Sequence, residues 1–282
     1  MTSDTAIHIR GLQKAYGELS AVAGVDLDVE RGETLALLGP NGAGKTTTVE
    51  ILEGHRQRDA GEVAVLGEDP ATAGREWRSR IGMVLQEAHD LIELTVGEAV
   101  DYFAGCYPNP RTSDEAIAAV GLEAKRATRI GKLSGGQRRR LDVALGIVGR
   151  PELIFLDEPT TGLDPEARRQ FWAVVRELKG DGVTILLTTH YLDEAEALAD
   201  RVAVIAGGRI LDIDAPERVG GRTADRAVVK WLAPEGARVV ETNETSHLLR
   251  QLLSEYDGEV PGLTVARPTL EDVYLRMIGA SA

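Results

Sequence analysis

The chain has 282 residues, of which 43% are hydrophobic and 27% are charged, and its formal net charge is −13. This composition is ordinary for a globular protein with one large core and room for a small second domain. The acidic balance argues against binding to the phosphate backbone of nucleic acid or to anionic lipid.

The sequence also argues against a membrane-spanning or secreted protein. No apolar run approaches the roughly 18–20 residues that cross a bilayer, and the first residues lack the basic and apolar regions of a secretory signal. Cys106 is the only cysteine, so we expect no intrachain disulfide and a reducing cytoplasm as the compartment.

The first third of the chain alternates strand patterns with a glycine-rich turn. Strands are predicted at 7–12 and at 25–29, where apolar and acidic residues alternate. A buried strand at 34–38 runs into the turn and a helix that begins near Lys45. A further strand is predicted from 81 to 85.

A mostly helical insert is predicted at about residues 87–133. Thr95 and Glu98 form a capping-box pattern that starts one helix, and Pro108 and Pro110 end it. Ser113 starts a second helix, which Gly121 can end.

The pattern then returns to alternating strands and helices. A helix carries apolar residues at positions 141, 144, 145 and 148, and buried strands at 153–156 and 183–187 flank a helix at about 166–178. This order predicts a parallel sheet with right-handed crossovers. The segment 202–213 is predicted to close the domain as a hairpin around Gly207 and Gly208.

The composition shifts after Pro216. Strands are predicted near 228–232, 238–241 and 263–266, with a helix at about 246–256 and a last helix capped by Thr269. We therefore predict a main domain over 1–215 and a small accessory α+β domain over 216–282.

The segment after the third strand fits the pattern G-x-x-x-x-G-K-[ST]. Glycines let backbone N–H groups surround phosphate oxygens at the start of a helix. Lys45 would bridge the β- and γ-phosphates of ATP, and the Thr46 hydroxyl would bind Mg²⁺. The predicted loop comprises Gly39, Pro40, Asn41, Gly42, Ala43, Gly44, Lys45, Thr46 and Thr47.

Two acids end the strand at 153–156. Asp157 is placed to hold the magnesium shell, and Glu158 to orient and deprotonate the attacking water. Alone, the pair would be read as a solvated strand end, but the phosphate loop favours the catalytic interpretation.

Between these motifs lies Leu133-Ser134-Gly135-Gly136-Gln137, here called the signature segment. With Gln86, Asp164 and His190 in the expected order, residues 5–215 resemble the nucleotide-binding domains of ABC ATPases. The resemblance implies an α/β P-loop NTPase fold with a mostly parallel central sheet, an antiparallel β subdomain and a helical insert.

The resemblance also implies roles for individual residues. Tyr16 would stack on adenine, Gln86 would sense magnesium and the attacking water, and His190 would contact the γ-phosphate. Asp164 would couple two sites across a dimer.

The same resemblance implies a head-to-tail homodimer. Ser134, Gly135, Gly136 and Gln137 of one copy would bind the γ-phosphate held by the phosphate loop of the other. The basic run 138–140 either strengthens the positive end of the helix that follows or forms a solvated basic face.

The tail 267–276 resembles the C-terminal end of ATPase subunits from bacterial drug-resistance and antibiotic-export ABC systems of the daunorubicin-resistance type. An exporter is therefore predicted, peripheral on the inner face of the membrane through a separately encoded permease. Segment 87–94 is a hypothetical docking site for that permease. The alternatives are an importer ATPase or an ABC ATPase that acts on ribosomes or DNA.

Overall fold

The computed structural model describes residues 5–84, 91–222 and 227–279. The chain divides into two compact units, Met1–Ile213 and Asp214–Ala282. Gln86 and positions 87–90 of the predicted docking segment lie outside the described residues. Within the described ranges, no helix is both long and apolar enough to cross a membrane.

Strands build two sheets in the first unit. The central sheet has six strands in the order β5-β6-β7-β3-β8-β9, and pairing is parallel from β5 to β8. The predicted parallel sheet and hairpin are confirmed: β9 follows β8 through Gly207 and Gly208, whose φ angles are 54° and 73°. The strands are β1 Thr5–Tyr16, β2 Leu19–Glu30, β3 Thr34–Leu38, β4 Ala60–Val65, β5 Ile81–Val84, β6 Leu153–Asp157, β7 Thr184–Thr189, β8 Arg201–Ala206 and β9 Arg209–Asp214.

The second sheet of this unit is antiparallel, in the order β2-β1-β4. It confirms the predicted antiparallel subdomain. Strand β4 was not predicted, because Val63 and Val65 are its only buried side chains and such a short alternation is a weak pattern. Its pairing with β1 determines that it is a strand.

Helices cover the sheets and form the insert. Thr95 caps α3 in a capping box with Glu98, as predicted, and Thr112 caps α4 in the same way with Glu115. The short helices α2 and α7 were not predicted. The helices of this unit are α1 Lys45–Leu52, α2 Arg75–Ser79, α3 Val96–Ala104, α4 Ser113–Ala119, α5 Gly135–Ile147, α6 Pro165–Gly180 and α7 Leu192–Leu198.

The buried strands at the centre of the six-stranded sheet determine where the candidate site lies. Every residue of β3 and β7 is buried, which explains the apolar runs at 35–38 and 185–187. Strands β6, β7 and β3 are neighbours, and ligands of open α/β sheets bind beyond the carboxyl ends of such strands. The phosphate loop, the acidic pair and His190 follow these three ends.

The second unit is a small α+β fold, as the sequence predicted. Its antiparallel sheet has the order β11-β10-β12, and Val229, Leu252 and Val260 form its buried core. Thr269 caps the last helix, since its hydroxyl accepts a hydrogen bond from the Asp272 backbone N–H (3.2 Å). The elements are β10 Ala227–Ala233, β11 Gly236–Thr242, α8 Thr245–Glu255, β12 Thr264–Ala266 and α9 Leu270–Gly279.

Candidate nucleotide-binding and catalytic site

The glycines of the phosphate loop allow the backbone to approach its neighbours closely. A Cβ atom added to Gly39 would lie 2.4 Å from the Ile205 carbonyl oxygen, and one added to Gly44 would lie 2.4 Å from that of Ala21. Gly44 and Gly42 also have positive φ angles of 103° and 80°, which residues with a Cβ atom rarely adopt. The loop between β3 and α1 therefore requires glycine at these positions.

The loop borders a cleft of about 460 Å³. Tyr16 lies at this cleft with 41% of its surface exposed. The Arg56 guanidinium and the Lys14 ammonium lie 5.2 and 5.8 Å from the centre of the Tyr16 ring. An aromatic ring face beside the backbone N–H groups of a glycine-rich loop suits a purine nucleotide. The lining residues are Tyr16, Leu19, Ala21, Asn41, Gly42, Gly44, Lys45, Thr46, Thr47 and Glu158.

Lys45 is held inside the loop with 5% exposure. Its Nζ atom donates hydrogen bonds to the carbonyl oxygens of Gly39 (2.8 Å) and Pro40 (3.2 Å), and it lies 3.4 Å from Glu158 Oε1. Thr46 is exposed next to it. Loop carbonyls and one carboxylate thus fix the ammonium group at the cleft.

Glu158 joins the predicted catalytic residues. Its Oε2 atom lies 3.3 Å from His190 Nδ1. This nitrogen is buried and makes no hydrogen bond within the described residues. The Thr161 hydroxyl donates to the same oxygen at 3.3 Å. One carboxylate therefore brings together the end of β6, the phosphate loop and the residue after β7.

Thr188, which sequence reasoning missed, holds both acids of the pair. Its hydroxyl donates to Asp157 Oδ1, and the Glu158 N–H bonds to the Thr188 hydroxyl (3.0 Å) and carbonyl (3.2 Å) oxygens. The only sequence signal was the pair Thr188-Thr189 at the end of a buried strand, just before His190.

Glu53 is a second residue that no motif predicted. It follows α1 with 4% exposure. Burial, then the nearby charges of Asp157 and Glu50, raises its pKa to about 8. Near neutral pH, the carboxyl group of Glu53 is therefore uncharged and lies in the electrostatic field of Asp157.

The signature segment starts α5 but lies away from the cleft. Ser134 caps the helix: its hydroxyl accepts from the Gln137 N–H (3.3 Å), and Gln137 Oε1 accepts from the Ser134 N–H (3.1 Å). Among the described residues that line the Lys45 cleft, none belongs to 134–137. Asp164 likewise caps α6, since its Oδ1 accepts from the N–H groups of Glu166 and Ala167, both at 2.9 Å.

Two arginines of the basic run are bound to backbone carbonyls, which contradicts the solvated basic face. Arg139 is 8% exposed and donates to the carbonyl oxygens of Asp157 (3.0 Å) and Pro159 (2.8 Å). Arg140 donates to the carbonyls of Val120 and Gly121, both at 3.1 Å. These two arginines tie α5 to other segments and do not form a solvated basic face.

A second cleft, of about 710 Å³, lies among α2, β5 and the end of α3. Tyr107 packs closely over Gly149, where an added Cβ would lie 2.4 Å from the ring. Arg75 and Arg78 are exposed at this cleft, and neither has a carboxylate partner within the described residues. The lining residues are Arg75, Glu76, Arg78, Ser79, Met83, Gly105, Cys106, Tyr107 and Pro108.

A glycine loop between a buried parallel strand and a helix, with its lysine beside an Asp-Glu pair on a nearby strand, defines a P-loop nucleoside triphosphatase. The sequence matches the ABC transporter family over residues 22–161. Two curated relatives extend the match over nearly the whole chain. Daunorubicin resistance ATP-binding protein DrrA3 of Streptomyces coeruleorubidus is 37% identical, covering 98% of this chain and 97% of that protein.

The Nod factor export ATP-binding protein I of Rhizobium sp. (strain N33) is also 37% identical, and the match covers 98% of each chain. Among solved structures, cbiO1 from Clostridium perfringens, part of the ABC transporter complex cbiONQ, has a TM-score of 0.69 at 28% identity, covering 77% of this chain and 90% of that one. The chain therefore belongs to the ABC transporter family, as the ATP-binding and ATP-hydrolysing subunit of an exporter. The relatives' names favour export over the importer and non-transport alternatives.

Proposed function

We propose that two copies of this chain hydrolyse ATP with Mg²⁺ at two shared sites and so drive export through a separate membrane subunit. The observation that carries the proposal is the position of the Glu158 carboxylate, 3.4 Å from Lys45 Nζ and 3.3 Å from His190 Nδ1 at the glycine-loop cleft. Glu158 is the general base for the attacking water, and His190 contacts the γ-phosphate.

The residues at the cleft also suit a metal ion. The Thr46 hydroxyl and the Asp157 carboxylate supply the oxygen ligands that Mg²⁺ prefers, and Gln86 would complete this set. When bound, Mg²⁺ neutralises charge on the phosphates. Thr188 orients Asp157 by donating a hydrogen bond to its Oδ1.

The contact between Lys45 and Glu158 suggests how nucleotide binding readies the base. Lys45 is bound by two loop carbonyls and one carboxylate. A phosphate that bonds to Lys45 competes with Glu158 for the ammonium group. The carboxylate is then released to accept a proton from water.

The second copy supplies the signature segment. Ser134 begins α5, and a helix N-terminus with glycines in its first turn can bind an anion. Because this N-terminus does not line the Lys45 cleft, it would serve the phosphate bound by the other copy. A head-to-tail homodimer with two ATP molecules follows, with Asp164 at the interface.

The 710 Å³ cleft is the surface that we assign to the permease. Its lining includes the apolar surface of Met83 and Tyr107, together with Arg75 and Arg78, which have no carboxylate partner among the described residues. It fits a short amphipathic segment that bears acidic residues. The ATPase would then lie on the cytoplasmic face of the membrane, with a drug- or antibiotic-like or other cargo passing through the partner.

Glu158→Gln tests the catalytic proposal, because it removes the base and keeps the shape of the side chain. We expect steady-state hydrolysis to fall about 10²–10⁴-fold, with ATP binding retained and an ATP-dependent dimer accumulating on a sizing column. Asp181→Asn, an exposed acid outside the cleft, is the control and should change neither property. Full turnover, or a monomer with ATP bound, would refute the role of Glu158.

A further inference from the structure

We propose that Arg139 is a positioning residue for the catalytic base: its guanidinium binds the backbone on both sides of Glu158 and holds the turn that aims the carboxylate. Its Nη2 atom donates to the carbonyl oxygen of Asp157 (3.0 Å), and its Nε atom donates to that of Pro159 (2.8 Å). The inference rests on the proposed role of Glu158 as the base and adds what fixes its position.

The backbone at Glu158 needs such support. Its φ angle is +43°, a left-handed conformation that non-glycine residues keep only where the surroundings fix it. Thr188 binds the Glu158 N–H on one side. Arg139 binds the carbonyls of the residues before and after it, so the turn is held by β7 and by α5.

The geometry requires arginine in particular. A guanidinium presents several N–H donors in a rigid plane, whereas a lysine ammonium is one compact charged group at the end of a flexible side chain. The Arg139 side chain is 9% exposed, and Asp142 Oδ2 lies 3.8 Å away on the same helix. Burial lowers the pKa of the Arg139 guanidinium. The ordinary pKa of an arginine side chain is so far above neutral that the group stays charged at neutral pH.

The same contact connects the signature helix to the base. Arg139 lies in the second turn of α5, five residues after the cap Ser134. In the proposed dimer, Ser134 serves the ATP bound by the other copy, while Glu158 serves the ATP bound by its own. A displacement of α5 at one site would therefore reach the turn at the other through Arg139.

A double-mutant cycle tests the inference on the full-length protein. Arg139→Lys and Arg139→Met are each made alone and together with Glu158→Gln, and single-turnover ATP hydrolysis and binding of a fluorescent ATP analogue are measured. We expect each Arg139 variant alone to lower hydrolysis by about 10–100-fold, the range that misplacement of a catalytic group can produce. ATP affinity should stay within about threefold, a binding difference under 1 kcal/mol.

The double variants show whether Arg139 acts through Glu158. If Arg139 acts through Glu158, its replacement should lower the residual rate of Glu158→Gln by less than about twofold, since coupled residues are not additive. Arg140→Gln is the matched control, because it removes an arginine of the same helix whose carbonyl partners belong to residues 120 and 121; its rate should match the wild type.

Each outcome decides one claim. Wild-type hydrolysis in an Arg139→Lys variant that binds ATP would overturn the inference, as would fully additive losses in the double variants. If Arg139→Met fails to bind ATP because it does not fold, the lysine variant, which keeps the buried charge, provides the measurement. If Glu158→Gln alone keeps full turnover, the proposed base is wrong, and that failure is distinct from an additive cycle.

Discussion

Glu53 shows how burial alone changes the chemistry of a residue. It is 4% exposed, and the acids Asp157 and Glu50 lie near it. The Nδ1 atom of His55 lies 3.5 Å from Glu53 Oε2. Burial is the largest cause of its raised pKa, and the two acids raise the pKa further. The carboxyl is therefore protonated at neutral pH, which avoids a second negative charge near Asp157.

This protonation predicts a pH dependence of stability. The folded-state pKa is about 8 and the ordinary value is 4.5, so the folded state binds more protons between these pH values. Stability should then fall as pH rises from about 5 to 9, by about 1.4 kcal/mol for each pKa unit of difference. Glu53→Gln removes this proton linkage.

The measurement is the urea-denaturation midpoint at pH 5, 7 and 9, without nucleotide or Mg²⁺. The Gln variant should gain stability relative to the wild type as pH rises. Glu62→Gln, a change at an exposed acid of β4, is the control and should follow the wild-type profile. Parallel profiles for Glu53→Gln and the wild type would show that Glu53 is ionised in the folded protein.

At the scale of elements, α2 and the end of α3 form a surface that neither helix presents alone. Arg75 and Arg78 lie on α2, while Cys106 and Tyr107 follow α3. No sequence pattern predicted α2, because it has only five residues and one buried side chain, Trp77. Trp77 anchors it, since its Nε1 donates to the Val65 carbonyl at 2.8 Å.

Charge reversal at this surface tests the permease contact. Arg75→Glu combined with Arg78→Glu should abolish co-purification with the membrane subunit, because acidic residues would then meet the acidic segment that we propose. ATP hydrolysis by the isolated subunit should stay at the wild-type rate, since neither arginine lines the Lys45 cleft. Arg176→Glu, an exposed reversal on α6, is the single-reversal control and should leave co-purification unchanged. Unchanged co-purification of the double variant would refute the assignment.

At the scale of the whole molecule, the phosphate loop and the signature segment of one chain do not share a cleft. Lys45 lines the 460 Å³ cleft, whereas residues 134–137 do not. In the proposed head-to-tail dimer, each site takes its loop from one copy and its signature from the other. Two differently inactivated chains should therefore complement each other.

Mixing Lys45→Ala with Ser134→Arg tests this arrangement. Each variant alone should be inactive, because both of its sites are damaged. In a random mixture half of the dimers are mixed, and each has one site with both parts intact, so about a quarter of all sites should be restored. ATP hydrolysis that does not rise above the sum of the separate variants would contradict the shared site.

The sequence predicted most elements of both units, because their periodic patterns are local. The resemblance to ABC ATPases placed Lys45, Glu158 and His190 at one nucleotide, and in the structure Glu158 contacts both of the other residues. The sequence did not predict β4, α2 or α7, whose short patterns gain their structure from pairing and packing. The predicted position of Gln86 lies outside the described residues.

The glycine loop, the acidic pair and the signature segment could all be recognised from the sequence alone, because their chemistry depends on residues that are adjacent in the chain. The contacts that support them became visible only in the folded chain. Thr188 and Arg139 reach the turn at Glu158 from β7 and α5, 30 and 19 residues away in sequence. Such contacts depend on strand order and helix packing, and no local pattern encodes them.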